Sequence, residues 1–179
     1  MSGVATKTNQ MASMIAHTSA KLLDTRKTTP GMRSLEKKAV ITGGGVNHRQ
    51  GLYDMIMLKD NHLDYAGGVE AALNSTRAYL KDNALDLKIE VEVRDRNELQ
   101  ELLKLELPDR IMLDNFPPSE LIWACDLIAG RAETEASGGI TEDTIVSVAE
   151  TGVDFISVGA LTHSVKSLDL SLKAKSSLI

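Results

Sequence analysis

Seven short stretches of this chain carry side chains able to do chemistry. Arg26 and Lys27 are adjacent, close an apolar run, and are soon followed by Pro30-Gly31, which stops any further strand or helix. Cations resist burial, so a pair at a strand terminus suits a turn lined for an anion; a solvated turn is the alternative for these residues taken alone. His48 and Arg49 come after Gly43-Gly44-Gly45, and Lys59 ends a run of Met and Leu. His48 by itself reads as a surface histidine, but beside Arg49 and after a glycine turn it reads as an anion binder. Glu90 and Glu92 alternate with Ile89, Val91 and Val93, which places both on one face of a strand. Two carboxylates in such a run would otherwise be buried unpaired, at high cost, so at least one is read as functional. Asp114 ends another apolar run. Ser137-Gly138-Gly139 and Gly159-Ala160-Leu161-Thr162-His163 are glycine-containing turns whose N–H groups can hold phosphate. Together these residue types describe a site for a small polyanionic ligand.

Other features carry less. Thr141-Glu142-Asp143 makes a good helix start, with a capping threonine and acids in the first turn. Metal binding by His48, His62 or His163 is weakly supported, because they form neither an i, i+4 pair nor a Cys/His cluster. The methionines read as core filler. Gly43-Gly44-Gly45 lacks the spacing of a dinucleotide-binding fingerprint and reads as a flexible turn.

The elements that must position these residues follow from periodicity. Strands are expected at 21–25, 39–42, 55–58, 87–93, 110–113, 131–136 and 154–158, and amphipathic helices at 69–80, 97–105, 119–128 and 144–150. A further helix over 2–18, with Ser2 as cap and Val4, Met11, Met14 and Ile15 near one face, leads into the first strand. Strands alternating with helices mean parallel βαβ units, and their number favours an incomplete, seven-stranded α/β barrel of the TIM type over a doubly wound sheet. In such barrels reactive groups gather at the carboxyl ends of the strands. All seven stretches lie there. The division expected is a lead-in helix over 1–18 and a barrel catalytic domain over 19–179.

Composition agrees. With 179 residues, 42% of them hydrophobic, the chain suits one buried domain. The net charge of −5 hides a basic segment, with eight Lys or Arg against four Asp or Glu between Lys21 and Asp60. Aromatics are only 3%, too few for a base-stacking face, so nucleic acid is not an expected partner. The single Cys125 rules out an intrachain disulfide. A polar start and the lack of a long apolar run make a cytoplasmic protein, without membrane association, the expectation.

The motifs Asp-Thr-Arg-Lys-Thr-Thr-Pro-Gly (24–31), Gly-Gly-Gly-Val-Asn-His-Arg (43–49), Leu-Lys-Asp-Asn-His (58–62), Glu-Val-Glu-Val (90–93), Leu-Asp-Asn (113–115), Ala-Ser-Gly-Gly-Ile (136–140) and Ser-Val-Gly-Ala-Leu-Thr (157–162) resemble, in order, the quinolinate phosphoribosyltransferases. The resemblance runs from Ser2 to about Leu172. It implies transfer of a phosphoribosyl group from phosphoribosyl pyrophosphate to quinolinate, with loss of CO2, to give nicotinate mononucleotide for NAD biosynthesis. It further implies Arg26, His48 and Arg49 on the quinolinate carboxylates, Lys27 and Lys59 between the two substrates, and Glu92 and Asp114 facing the ribose and Mg2+. The 5′-phosphate falls to Ser137, Gly138 and Gly139 with Gly159, Ala160 and His163. Family members work as homodimers or higher homo-oligomers, in which an amino-terminal α/β sandwich domain of one subunit covers the partner's barrel mouth. That domain is absent from this sequence, so the chain alone is expected to bind quinolinate weakly and to turn over poorly. Two alternatives stay open: a barrel module that binds anions without turnover, and a phosphoribosyltransferase for another pyridine acid.

Overall fold

The alternation that puts Glu90 and Glu92 on one face of a strand puts Ile89, Val91 and Val93 on the other, and all five are buried. The apolar face packs against helices together with Leu99, Leu102, Ile111, Leu113, Leu121 and Ala124. The core therefore lies outside the sheet, between strands and helices, and the opposite face is left to polar groups.

The computed structural model describes residues 1–174. In chain order its elements are α1 (Ser2–Met14), β1 (Lys21–Leu23), α2 (Arg33–Thr42), β2 (Ile56–Leu58), α3 (Asp60–Ala66), α4 (Val69–Asp82), β3 (Ile89–Val93), α5 (Arg96–Leu102), β4 (Arg110–Asp114), α6 (Pro118–Ile128), β5 (Glu133–Ser137), α7 (Ile145–Ala149), β6 (Phe155–Ser157) and α8 (Ala160–His163). The strands form one parallel sheet in the order β1-β6-β5-β4-β3-β2. Local chemistry starts the helices where they start: Asp95 accepts from the N–H groups of Asn97 and Glu98 to cap α5, and Pro118 opens α6 at the position where its missing N–H is harmless.

Six of the seven expected strands are present; β4 runs one residue beyond its expected span, and the others are shorter than or shifted from theirs. The seventh, at 39–42, lies inside α2 instead. Its β-branched run suggested a strand, but Glu36, Lys37, Ala39 and Val40 share the buried face of a helix while Ile41 is exposed. What remains of a strand after the glycine turn is a single bridge between Val46 and Leu23. Pairing stops there because the next backbone donor, the His48 N–H, goes to the Asp24 carboxylate at 2.9 Å rather than to a neighbouring strand. Among the described residues the sheet is thus six-stranded and open. Residues after β1 and after β2, its two edges, nevertheless line one cavity, so the sheet must curl.

Two helix starts also differ from expectation. Ser2 does not cap α1, which begins after Met1 without a side-chain cap, and Met14 is exposed while Val4, Met11 and Ile15 are buried. The helix after β5 starts at Ile145; Thr141 instead opens a turn in which its N–H donates to Thr144 Oγ1 at 3.0 Å.

Leu99 on α5 is fully buried in the outer core. Leu99→Ala leaves a cavity there, and urea unfolding is expected to show a loss of about 3 kcal/mol.

Candidate active site

At the carboxyl ends of the strands lies a cavity of about 680 Å³. The thirteen residues that the resemblance assigns to the site all line it: Arg26 and Lys27 after β1, His48 and Arg49 after the Val46 bridge, Lys59 after β2, Glu92 and Asp114 on β3 and β4, Ser137 to Gly139 on β5 and its loop, and Gly159, Ala160 and His163 beyond β6. Glu90, also singled out, is not among the lining residues. Their gathering is what a parallel sheet dictates, because the loops at this end converge.

Helix α2, which pattern reading missed, builds the cationic side. Its residues Arg33, Glu36 and Lys37 stand at i, i+3 and i+4 and reach the 24–31 loop together. Arg33 Nη2 donates to the Arg26 carbonyl at 3.0 Å, Glu36 Oε2 accepts the Thr29 N–H at 3.0 Å, and Lys37 Nζ forms a buried ion pair with Asp24. From the other side, Thr162 Oγ1 donates to the Lys27 carbonyl at 2.6 Å. Asp24 and Lys37 are both almost wholly buried, and burial raises the Asp24 pKa despite Lys37 beside it. Held in this way, Arg26 and Arg49 come close enough that the charge of Arg26, after burial, lowers the pKa of Arg49. Neither guanidinium forms an ion pair among the described residues, and Arg26 Nε is buried without a partner.

The carboxylate side is better paired. Lys59 Nζ donates to Glu92 Oε2, which ties two of the expected residues to each other. Asp114 accepts Ser137 Oγ at Oδ1 (2.6 Å) and Asn115 Nδ2 at Oδ2 (2.7 Å). Asn115 holds this position at φ 58, and Gly138 makes room for it: at φ 94, a Cβ on Gly138 would stand 2.1 Å from Asn115 Oδ1. The glycine loops leave donors free. Among the described residues, no protein acceptor is taken by the backbone N–H groups of Gly138, Gly139, Ile140, Gly159 or Ala160.

At the floor of the cavity, which His48 and Glu135 line, is a charge cluster that spans strands far apart in sequence. Glu90, Arg110 and Glu133 are in register on β3, β4 and β5, and Glu135 stands two residues further along β5. Arg110 donates to Glu133 Oε2 (3.0 Å) and Glu135 Oε2 (3.0 Å), with its guanidinium 3.9 Å from the Phe155 ring centre. His48 Nε2 is 3.0 Å from Glu90 Oε2 and 3.4 Å from Glu135 Oε2. These approaches are close, but the ring N–H is not aligned on either carboxylate, so neither is a well-formed hydrogen bond. His48 Nδ1 accepts the Arg49 backbone N–H at 2.6 Å. Both ring nitrogens therefore face protein. Burial works to lower the His48 pKa, but the Glu135 and Glu90 carboxylates outweigh it and raise the pKa above the ordinary histidine value.

Glu90 is raised from 4.5 to about 7, first by burial and then by the charge of Glu135. The folded chain thus keeps a proton that the unfolded chain releases. This stabilisation is complete below the unfolded value and is lost as pH rises through the folded one. Urea unfolding of the apo chain is expected to give a free energy that falls between about pH 4.5 and 7. Glu90→Gln should flatten that slope, and an unchanged slope would take Glu90 out of the explanation.

An α/β chain with unpaired guanidinia, cavity-lining carboxylates and open glycine loops at the carboxyl end of a parallel sheet has the build of an anion-binding site. The comparisons place it more closely. Residues 4–173 match the family described as "Quinolinate phosphoribosyl transferase, C-terminal domain". The chain belongs to that family. It is 50% identical over 192 aligned positions to quinolinate phosphoribosyltransferase [decarboxylating] 1b of Nicotiana tabacum, covering 99% of this chain and 54% of that protein. It is 45% identical to a probable nicotinate-nucleotide pyrophosphorylase of Bacillus subtilis, covering 96% of this chain and 58% of that protein. The structure of the nicotinate-nucleotide pyrophosphorylase from Francisella tularensis matches with a TM-score of 0.88 at 43% identity, over 94% of this chain and 59% of that one. The chain thus spans little more than half the length of these relatives.

Proposed function

We propose that this chain carries the site for transfer of a phosphoribosyl group from phosphoribosyl pyrophosphate to quinolinate, with decarboxylation to nicotinate mononucleotide. The observation that carries this reading is the pair Arg26 and Arg49, two neighbouring guanidinia without carboxylate partners, in one cavity with two glycine loops of unpaired N–H groups. Like charges held together are costly unless an anion joins them, and quinolinate offers two carboxylates on adjacent ring carbons. A guanidinium fork on those carboxylates fixes the ring nitrogen toward the ribose carbon. The loops at Gly138-Gly139 and Gly159-Ala160 suit the 5′-phosphate.

As pyrophosphate departs, positive charge grows on the ribose carbon, and of the cavity's carboxylates Glu92 and Asp114 are the two that can face it, Glu135 being held by Arg110. Ser137 and Asn115 hold Asp114 in one orientation for that task. Lys27 and Lys59 supply charge for the pyrophosphate. Glu92 and Asp114 also fit a Mg2+ ion: they offer hard oxygens, and Lys59 engages only Oε2 of Glu92, so Oε1 has no protein donor among the described residues. Bound there, Mg2+ would neutralise the leaving pyrophosphate. Once the ring nitrogen is alkylated, it draws the electrons of the adjacent C–CO2 bond; CO2 leaves, the carbanion left on that ring carbon takes up a proton from water, and no protein nucleophile is needed.

The same reading extends to a homodimer or higher homo-oligomer, which rests on the sequence resemblance, and to a cytoplasmic setting, which rests on the polar start of the sequence and its lack of a long apolar run. No helix among the described residues is long and apolar enough to cross a membrane. The test is to mix the protein with quinolinate, phosphoribosyl pyrophosphate and Mg2+ and to measure CO2 and nicotinate mononucleotide. Stoichiometric release of both, abolished by a chelator and restored by Mg2+, is the expected result. Phosphoribosyl transfer to nicotinate instead of quinolinate would overturn the substrate assignment.

A further inference from the structure

His48 lines the cavity, yet neither of its ring nitrogens is free to meet a ligand. Nδ1 accepts the Arg49 N–H, and Nε2 faces Glu90 and Glu135. The ring is therefore a strut between the buried carboxylates and the segment that carries Arg49. We propose that Glu135, anchored by Arg110, is a positioning residue that sets the His48–Arg49 segment for the ring acid. This inference rests on the reading of the cavity as a quinolinate site.

The anchoring is one-sided and firm. Arg110 is gripped by Glu133 at Nε (3.2 Å) and Nη2 (3.0 Å), it lies over Phe155, and its Nη1 fixes Glu135 Oε2 at 3.0 Å. Glu135 has no exposed surface, and its second oxygen has no partner. A buried, half-satisfied carboxylate is a costly thing for a fold to keep. The Oε2 that Arg110 holds also lies 3.4 Å from His48 Nε2, and Ser157 is a further neighbour of the carboxylate. At the other end, Arg49 is aimed by its donation to the Met55 carbonyl at 3.1 Å, so a tilt of the His48 ring would pass to the Arg49 peptide through the 2.6 Å contact.

A metal ion held by His48, Glu90 and Glu135, whose ligand atoms lie within 4.8 Å of one another, is the competing use of these groups. The hydrogen bonds argue against it. An imidazole that accepts the Arg49 N–H at Nδ1 carries its proton on Nε2, the atom a metal would need. Arg110 Nη1 already supplies a cation to Glu135.

The experiment compares wild type with Glu135→Ala, Glu135→Gln and Arg110→Met. It measures quinolinate and phosphoribosyl pyrophosphate binding by calorimetry, and the His48 ring by ¹⁵N NMR. Glu135→Ala and Arg110→Met are expected to weaken quinolinate about tenfold, the scale of one charge-assisted contact, and to leave phosphoribosyl pyrophosphate within about twofold. Glu135→Gln, which can still face Arg110, should recover most of the loss; if the alanine variant fails to fold, the glutamine variant and Arg110→Met carry the test. The His48 Nε2 signal should shift in every variant. Equal weakening of both ligands, no weakening of quinolinate, or an unmoved His48 signal overturns the proposal. If wild type itself does not bind quinolinate, the substrate reading fails, and the NMR comparison alone decides whether Glu135 orients His48. Binding of Zn2+ or Mn2+ by wild type with loss of the Nε2 proton signal would replace the strut by a metal site.

Discussion

Arg26→Ala is expected to lower turnover of quinolinate and phosphoribosyl pyrophosphate by about 10²-fold or more, the scale for losing one preorganised charged donor. The backbone around Arg26 is fixed independently of its side chain, since its carbonyl accepts Arg33 and the loop is tied to Glu36 and Thr162. Truncation should therefore remove the guanidinium without collapsing the turn. Arg26→Lys keeps the charge but not the fork, and should recover only part of the rate. It also identifies what is lost: a fall in kcat with KM unchanged would mean that Arg26 acts mainly in the transition state, and a rise in KM alone that it only holds the ring acid. A near-normal rate for Arg26→Ala would remove it from the mechanism.

Lys37→Met is expected to destabilise the fold by about 4 kcal/mol, the range for stranding one partner of a buried ion pair. Lys37 Nζ meets Asp24 and also donates to the His48 carbonyl at 2.9 Å, so the methionine variant leaves a buried carboxylate with no cation, held only by neutral donors: the His48 N–H at Oδ1 and the Asn47 side-chain amide 2.6 Å from Oδ2. The Asp24 pKa, already raised by burial, should rise further, and the loss should be smaller at acid pH, where Asp24 takes up a proton. Lys37→Met combined with Asp24→Asn should regain part of the stability, because no charge is then stranded. Urea titration of the three variants decides this. A loss below about 1 kcal/mol for Lys37→Met would mean that water reaches Asp24 and that the pair acts as a surface bridge.

Both results bear on how much of the site was legible beforehand. The strands that carry Glu92, Asp114 and Ser137 or lead into Lys59 announce themselves through apolar runs and alternation, and a parallel sheet then forces their carboxyl ends together. That is why so many cavity residues follow from one-dimensional pattern. Helix α2 did not, because the Ala39-Val40-Ile41-Thr42 run favours a strand locally and only the spacing of Arg33, Glu36, Lys37 and Val40 reveals a helical face. The Arg110–Glu135–His48 cluster was invisible for a different reason. Its members meet through the pairing of β4 with β5 and through the turn after Val46, and register across strands is not written in any local window. Glu90 shows the boundary: alternation gives its face, while its partners depend on the assembled sheet.

The strand order has a consequence for how the protein comes into being. β1 and β2 follow one another in sequence but stand at opposite edges, and β1 finds its one strand partner, β6, near the far end of the described chain. Emerging from a ribosome, the segment with Arg26 and Lys27 must wait for almost everything else to be made. High contact order of this kind slows folding. It also means that the cations and the glycine loop after β6 become neighbours only when that last pairing forms. A polyanion bridging them would bind the finished sheet and not its precursors, and so would draw nascent chains toward completion by mass action.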